Sequence, residues 1–246
     1  MYPLDKDPEE SERLNSQFNL LEGEWLTLLF KESSGSVLDV GCGTGHLHTK
    51  IPPTWKYIGI DSTDRFENKS PNQEFIHKDI LDFTTDLRFD VIICRLVLWS
   101  LPKRELVLKK LHELAHSNTI IHCYEPDDSK LEFNADLKAM NDLALNWQQT
   151  VIPQGSNPFI GNSLEHLLLK NGWHVIAKKV HEFHYSSHDP QFIKHLENLH
   201  RIFSQCNPQP SQVLKENAKA AIIQNQGNFR ENYVEIVAKS QAISES

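Results

Sequence analysis

Short apolar runs alternate with polar, turn-rich segments through the first half of the chain, and this pattern predicts a β-α-β rhythm. The runs are rich in Val, Ile, Leu and aromatic residues and lie at 37–40, 55–61, 73–77, 89–94 and 118–124. Nearly continuous apolar strands are typical of a parallel sheet that is buried on both faces. Two later runs, at 173–180 and 233–238, complete the set. The sequence therefore predicts an α/β fold with a doubly wound, mostly parallel seven-stranded sheet.

Apolar residues at spacings of three and four predict the helices. The first covers 8–30, with Asp7 as its cap, and the others cover 102–116, 129–150, 161–171, 189–205 and 210–225. We expect one domain over 1–246, because neither a repeat nor a linker divides it. Within it, 1–35 holds an N-terminal cap helix and 36–125 a ligand-binding core. Helical insertions at 126–172 and 186–226 follow the fifth and sixth strands. We expect them to border the site of a second ligand, next to the ligand held by the core.

A glycine-rich turn follows the first strand directly. Residues 37–45 read Val-Leu-Asp-Val-Gly-Cys-Gly-Thr-Gly. Glycine permits positive φ and leaves room for a ligand against the backbone. The spacing differs from a dinucleotide-binding loop, because His46 stands where the third glycine would fall, and the Gly-Lys-Ser/Thr of a P-loop is absent. A strand, such a turn and the start of a helix at 46–50 predict a cradle for another cofactor.

The segment Val37–Gly45 resembles motif I of the class I S-adenosylmethionine (SAM) methyltransferases. The resemblance covers about 36–125, where 57–62, 78–80 and 89–102 look like the later motifs of that family. It implies a Rossmann-like methyltransferase domain that uses SAM and releases S-adenosylhomocysteine. Independently, a carboxylate at the end of the second strand, Asp61, suits two vicinal ribose hydroxyls, since each hydroxyl can donate to one oxygen.

The resemblance also implies individual roles for the cofactor-binding residues. Asp61 would hold the ribose and Asp79 the adenine amino group, while Ile80 would pack on the adenine ring. Asp39 would support the methionine amino group through a water molecule. The backbones of Gly41 and Gly43 and the Cys94 carbonyl would lie against the methionine part, and the remaining candidates in these motifs are Cys42, Ser62 and Arg95.

Structural roles are the alternatives for these residues. Asp61 and Asp79 suit the caps of following helices. Arg95 can pair with a carboxylate instead of touching the cofactor, and Cys94 fits a small core residue at the end of a strand.

The N-terminal segment resembles a subgroup of small-molecule methyltransferases. In these a Tyr, here Tyr2, precedes a helix of the pattern E-x-x-R-L-x-x-Q, here Glu10–Gln17, that covers the SAM site. The stretch 158–164, which contains Gly161, fits the same subgroup. Whether the N-terminal helix closes over SAM is left open by the sequence.

Methyl transfer from a sulfonium is an in-line displacement that depends on positioning, and a base is needed only when the acceptor must lose a proton. We therefore assign no catalytic residue. Candidate bases near the crevice are His46, His122, Tyr124 and Glu125. For His122 we favour a structural role, as a half-buried strand residue bonded to backbone. The aromatic residues Trp99, Phe133, Trp147 and Phe159 can wall an acceptor pocket or belong to the core.

Composition and charge limit the classes of methyl acceptor that we expect. The net charge of −8 and the pI near 5.9 argue against a protein that neutralises many phosphates, so nucleic acid is an improbable partner. The chain has neither an apolar run of membrane length nor a signal peptide at its polar start. Four cysteines without C-x-x-C spacing predict reduced thiols in a cytoplasmic protein, and no metal site is expected.

The preferred hypothesis is a SAM-dependent methyltransferase that acts on an O or N atom of a small molecule. Methylation of a protein or RNA, and SAM binding without catalysis by a sensor or scaffold, stay open. The oligomeric state is beyond the sequence.

Overall fold

A computed structural model describes residues 10–20, 29–30, 32–66, 73–206 and 208–241. In these segments a central sheet is flanked by helices. The strands are Gly35–Val40 (β1), Trp55–Asp61 (β2), Gln73–His77 (β3), Phe89–Arg95 (β4), Ala115–Pro126 (β5), Glu132–Phe133 (β6), Trp173–Ser186 (β7) and Asn228–Ser240 (β8). The α-helices are Glu10–Leu20 (α1), Arg104–Glu113 (α2), Lys138–Val151 (α3), Leu164–Lys170 (α4), Phe192–Ser204 (α5) and Gln212–Ile223 (α6).

The strand order is β3-β2-β1-β4-β5-β8-β6, and β7 pairs with β8. Strands β1 to β5 pair in parallel, whereas β8 runs antiparallel to β5, β6 and β7. The seven predicted strands are all present, so the doubly wound, mostly parallel sheet is confirmed, and β6 is an addition. The order reverses between β1 and β4. Ligands of open α/β sheets bind at such a switch point, outside the carboxyl ends of the strands.

The two faces of the sheet carry different side chains. One face contributes aliphatic residues such as Leu38, Ile92 and Ile121 to a core shared with α2 and α4. The opposite face combines Val37, Tyr57 and Ile93 with Phe18 of α1. Burial of this apolar area on both faces is the main force that holds the helices on the sheet.

A second core lies beyond the sheet, where α3, α5 and α6 pack on one another. Trp147 of α3 is its largest member, with its ring 5.6 Å from Trp99 and 5.2 Å from Phe203. Phe133 stacks on Phe229 at the rim of the same core. The four aromatic residues proposed as pocket or core therefore divide: Trp99, Phe133 and Trp147 pack in this core, and Phe159 is half-buried in the loop before α4.

The five helices predicted after the first are all shorter in the structure, and three of them differ in a way that the neighbouring elements explain. The helix expected at 129–150 begins only at Lys138, because Glu132 and Phe133 pair with Arg230 and Phe229 of β8. The helix expected at 102–116 ends at Glu113, since β5 begins at Ala115. The helix expected at 161–171 is a 3-10 turn at Ile160–Asn162 followed by α4.

The connection from β1 to β2 also differs from expectation. After the glycine turn it contains a 3-10 helix, His46–Lys50, and no α-helix within the fully described stretch 41–54. Pro52 and Pro53 follow, and proline restricts the preceding residue to extended backbone. The crossover is therefore tight, and it returns the chain from the glycine turn to Trp55, which pairs with Gly35 at the start of β1.

The predicted N-terminal helix is confirmed where the chain is described, as α1 and the helical residue Leu29. Asp7 and Tyr2 lie outside the described residues. Glu10 and Gln17 bracket Arg13, whose Nε and Nη2 donate to Glu10 at 2.6 and 2.7 Å and whose Nη1 donates to Gln17 at 3.0 Å. The E-x-x-R-x-x-x-Q pattern thus forms a hydrogen-bonded ladder along one side of α1.

A buried carboxylate holds the loop that follows β4. Glu125, near the end of β5, is fully buried, and its Oε1 accepts hydrogen bonds from the N–H groups of Val97 and Leu98 at 3.1 and 2.8 Å. Its Oε2 accepts from Trp99 N–H at 3.2 Å. Burial raises the pKa of Glu125 to about 8, although the three amides lower it. The side chain is therefore an acceptor for backbone donors that would otherwise be buried without partners.

We predict that Glu125→Ala lowers the free energy of unfolding by about 3 kcal/mol or more, since it removes the acceptor of three amides and each unsatisfied donor costs about 1–3 kcal/mol. Glu125→Gln lowers the free energy of unfolding less, because its carbonyl oxygen can still accept hydrogen bonds from the N–H groups of Val97 and Leu98. The measurement is urea unfolding followed by circular dichroism. Glu113→Ala is the matched control, because that carboxylate is exposed and makes only a 4.0 Å pair with Lys110. Equal stability of Glu125→Ala and Glu113→Ala would contradict this role.

Candidate active site

The glycine turn after β1 is tied to the end of β2. Gly41, Gly43 and Gly45 have φ values of 69°, 57° and 79°, which favour glycine. The N–H groups of Gly41 and Cys42 donate to the Ile60 carbonyl at 2.8 and 3.2 Å. These bonds turn the chain back over the carboxyl edge of the sheet.

Neighbouring side chains leave no space for larger residues in this turn. A Cβ built on Gly41 would lie 2.4 Å from Cγ2 of Val97, and one on Gly45 would lie 2.2 Å from Cε1 of Phe75. At Gly43 the nearest atom is Cδ1 of Leu14 in α1, at 3.3 Å. The turn is therefore packed between the loop after β4, β3 and α1.

Asp61 ends β2, half-buried beside the turn. Its Oδ2 accepts from Gly43 N–H at 2.8 Å, and its Oδ1 accepts from the N–H and Oγ1 of Thr63 at 2.9 and 3.0 Å. Because an ionised carboxylate offers roughly four acceptor positions, Asp61 can take one further donor as it stands. A second donor, as in a vicinal diol, fits once the Thr63 hydroxyl rotates away. The residue thus fits the ribose role and also orders the turn.

Asp39 lies beneath the turn and is buried. Its Oδ2 accepts a 2.6 Å hydrogen bond from the Tyr57 hydroxyl. Burial raises the pKa of Asp39 to about 7, while the Tyr57 hydrogen bond and the charge of Arg95 lower it. Cys42, half-buried in the turn, is a free thiol whose pKa is raised well above its usual value by burial and by Asp39 and Asp61.

The residues after β3 are less enclosed. Asp79 is exposed, and its Oδ1 accepts from Leu81 N–H at 2.9 Å as the cap of the 3-10 helix Ile80–Asp82, which confirms the capping alternative. Ile80 packs in the aliphatic core with little of its surface exposed. Ser62 is exposed, and its carbonyl lies 3.0 Å from His77 Nε2.

At the end of β4, Cys94 is buried opposite Cys123 of β5, as expected of a small core residue. The next residue, Arg95, places its guanidinium 4.6 Å from the ring centre of Phe18 and 5.9 Å from that of Tyr124. Its Nη2 donates to the Phe18 carbonyl at 3.3 Å. Arg95 therefore joins β4 to α1 through the ring and the carbonyl of Phe18.

Helix α1 lies directly on the glycine turn. Thr44 Oγ1 donates to Asn15 Oδ1 at 2.7 Å, and the Phe18 ring packs edge-on against His46 at 4.8 Å. The described part of the N-terminal segment thus covers the crevice at the switch point.

All four candidate bases make structural contacts. His46 packs against the Phe18 ring of α1. Glu125 holds the loop after β4. Tyr124 stacks on Tyr233 with ring centres 5.3 Å apart, and burial raises its pKa far above the ordinary value. His122 is fully buried, and its Nε2 lies 3.1 Å from Glu235 Oε1. The expected bonding of His122 to backbone is therefore wrong at this nitrogen, since the partner is a side chain.

The partner of His122 was not foreseen from the sequence. Glu235 lies on β8 and also contacts His181 Nε2 of β7, at 2.6 Å from its Oε2. The available signal was an acidic residue inside the apolar run at 233–238. Burial inside a sheet is costly for a carboxylate unless it has partners, which points to such a pair.

Metal-binding and membrane-spanning features are both absent from the described residues. Among them, no group of three or more His, Cys, Asp or Glu side chains is arranged to hold a metal ion, and no helix has the length and apolar character to cross a membrane.

Comparisons with known proteins identify the family. The model of a methyltransferase domain family matches residues 15–178. No curated protein matches the sequence.

Solved structures with similar folds include the YcgJ protein from Bacillus subtilis (TM-score 0.54, 14% identity, covering 88% of this chain and 96% of that chain). They also include the N-methyltransferase NodS from Bradyrhizobium japonicum in complex with S-adenosylhomocysteine (TM-score 0.51, 13% identity, 97% and 91%). A third is phosphoethanolamine N-methyltransferase 2 from Haemonchus contortus (TM-score 0.55, 11% identity, 97% and 59%). At these identities the structures show the fold.

The family match spans most of the cofactor crevice and agrees with the strand order and the glycine turn. The chain belongs to the methyltransferase domain family and is a SAM-dependent methyltransferase.

Proposed function

We propose that this enzyme transfers the methyl group of SAM to an oxygen or nitrogen atom of a small molecule. The observation that carries the proposal is the crevice at the switch point, where the glycine turn, Asp61 and Asp39 converge under α1. Bound SAM supplies a methyl group on a positively charged sulfur, which is the leaving group.

The cofactor would be held by residues on four strand ends. Asp61 accepts the ribose hydroxyls once Thr63 Oγ1 rotates, and the Asp39 carboxylate attracts the methionine amino group. The turn at 41–43 and the backbone at 94–95 line the methionine part. Asp79 and Ile80 face the adenine, with the Asp79 carboxylate still open on one oxygen, because only Oδ1 has a bond to Leu81.

A small acceptor is favoured by the way the crevice is closed. Arg13 of α1 donates to Asn198 Oδ1 of α5 at 3.2 Å, so the two helices meet over the polar face of the sheet. A net charge of −8 disfavours nucleic acid. A small acceptor is also supported by the Haemonchus contortus neighbour, whose structure contains phosphomonomethylethanolamine.

We expect Asp61→Asn to weaken S-adenosylhomocysteine binding roughly 10- to 100-fold in calorimetric titration, because hydrogen bonds to a charged group contribute about 1.5–3 kcal/mol each. Asparagine keeps an acceptor for Gly43, so the turn is retained.

The control for this variant is Asp64→Asn, an exposed carboxylate three residues further on, which leaves affinity unchanged. If Asp61→Asn binds S-adenosylhomocysteine as tightly as the wild type does, Asp61 does not bind the cofactor. No binding by the folded wild type would overturn the proposed cofactor site.

Ionisation of Asp39 predicts a pH dependence of the same binding. Its pKa is about 7 in the free protein, and a ligand ammonium favours the ionised carboxylate, so binding releases a proton. Affinity should therefore rise roughly fivefold to tenfold as pH increases from about 6 to 7.5. In Asp39→Asn, which can still accept from Tyr57, the affinity should stay flat and low. A wild-type affinity that does not change with pH would contradict contact between Asp39 and the amino group.

A further inference from the structure

Three side chains form a hydrogen-bonded series across strands β5, β8 and β7. Glu235 is the middle member, with His122 Nε2 at 3.1 Å from one oxygen and His181 Nε2 at 2.6 Å from the other. None of the three is adjacent to another in sequence. The antiparallel register of β8 with both neighbours brings them to the same face.

Exposure falls along this series from one end to the other. The His181 side chain is 18% exposed, Glu235 is 11% exposed and His122 is fully buried. His181 is therefore the member that a ligand can reach, and the other two lie behind it.

The charge of Glu235 sets the orientation of the His181 ring. The hydrogen bond from His122, followed by that from His181, holds the pKa of Glu235 at about 2, so the carboxylate is ionised at neutral pH. An ionised carboxylate only accepts hydrogen bonds, which requires Nε2 of His181 to carry the proton. The lone pair of neutral His181 is then on Nδ1. Within the described part of the chain, no hydrogen bond to Nδ1 is present.

His181 is linked to the end of β4 through the Tyr124 ring. Its ring centre is 5.4 Å from that of Tyr124, and the Arg95 guanidinium lies 5.9 Å from the same Tyr124 ring. Arg95 directly follows Cys94, whose backbone is part of the proposed methionine site. One aromatic ring thus separates the proposed cofactor end from a proton acceptor.

We propose that His181 is the general base of this methyltransferase, that Glu235 is its positioning residue, and that the acceptor is a phenol or an ammonium group that must lose a proton. The inference rests on the proposed function and adds the class of acceptor. It assigns a base that is not among the four sequence candidates.

In the proposed step, a proton of the acceptor passes to Nδ1 of His181, before attack for an ammonium group and as the new bond forms for a phenol. The freed lone pair of the acceptor nitrogen, or a lone pair of the phenol oxygen, forms a bond to the methyl carbon as the C–S bond breaks, and the electrons of that bond stay on sulfur as a neutral thioether. The resulting imidazolium is stabilised by Glu235 and returns its proton to water.

The first test does not depend on turnover. Long-range proton–nitrogen NMR spectra of the full-length protein bound to S-adenosylhomocysteine identify the tautomer of each histidine. We expect His181 to carry its proton on Nε2 near neutral pH, and Glu235→Gln to redistribute it between the nitrogens. A proton on Nδ1 of His181 in the wild type would overturn the inference, because the lone pair would then face Glu235.

The second test measures transfer of labelled methyl from SAM to phenol, catechol, benzylamine and ethanolamine. General bases contribute roughly 10²- to 10⁴-fold, so His181→Ala should lower kcat by that factor with little change in KM. Added imidazole should restore part of the rate in His181→Ala, which a merely structural histidine would not allow. Glu235→Gln should give a smaller loss.

The control is His184→Ala, an exposed histidine on the opposite face of β7, which should keep wild-type rates. S-adenosylhomocysteine titration of every variant distinguishes failure of the His181 assignment from failure of the proposed function. If all variants bind it and His181→Ala retains full kcat, or if none of the four compounds is labelled by the wild type, the inference fails while the cofactor site stands. If the wild type does not bind S-adenosylhomocysteine, the proposed function itself fails.

Discussion

The geometry of the crevice depends on the contact between Glu125 and the amides of Val97, Leu98 and Trp99. These bonds fix Val97, whose methyl group occupies the space beside Gly41 that a Cβ would need. The glycine turn is in turn bonded to the end of β2 through Ile60 and Asp61. A single buried carboxylate at the end of β5 thus determines the relative positions of three strand ends, which is why a side chain with the chemistry of a base has a structural role here.

The two faces of the sheet have different roles, one in stability and the other in the proposed chemistry. The face under α2 and α4 is aliphatic and contributes stability through burial. The face under α1 and α5 carries Asp39, His122, Tyr124 and Glu235, and each of these is buried with a hydrogen-bonding or stacking partner. Burial of the aliphatic face supplies stability that offsets the cost of burying these four groups. The proposed chemistry is therefore confined to the face that the two helices cover.

Local pattern was sufficient to predict much of the fold and the glycine turn of the candidate site. Apolar runs located the strands, and the spacing of Gly41, Gly43 and Gly45 separated this turn from other nucleotide-binding loops. The start of α3 was misplaced because Phe133 continues the helical period while its backbone pairs with a strand almost a hundred residues later. The contact between His181 and Glu235 could not be predicted from the sequence either, since it depends on the register between β7 and β8. Sequence reveals which side chains a strand carries, but register decides which of them meet.

The place of β8 in the sheet has a consequence for synthesis of the protein. This strand comes after all the others in the chain, yet it lies between β5 and β7 and pairs with both along most of its length. While the ribosome is still translating residues 228–240, β7 has no strand to join, and the edge of β5 is open to unwanted pairing. The first five strands can pair before β8 has been made, but Glu235 reaches His122 and His181 only once β8 has entered the sheet. The cofactor crevice can therefore begin to form early in folding, whereas the imidazole–carboxylate series is completed only when β8 pairs with both of its neighbours.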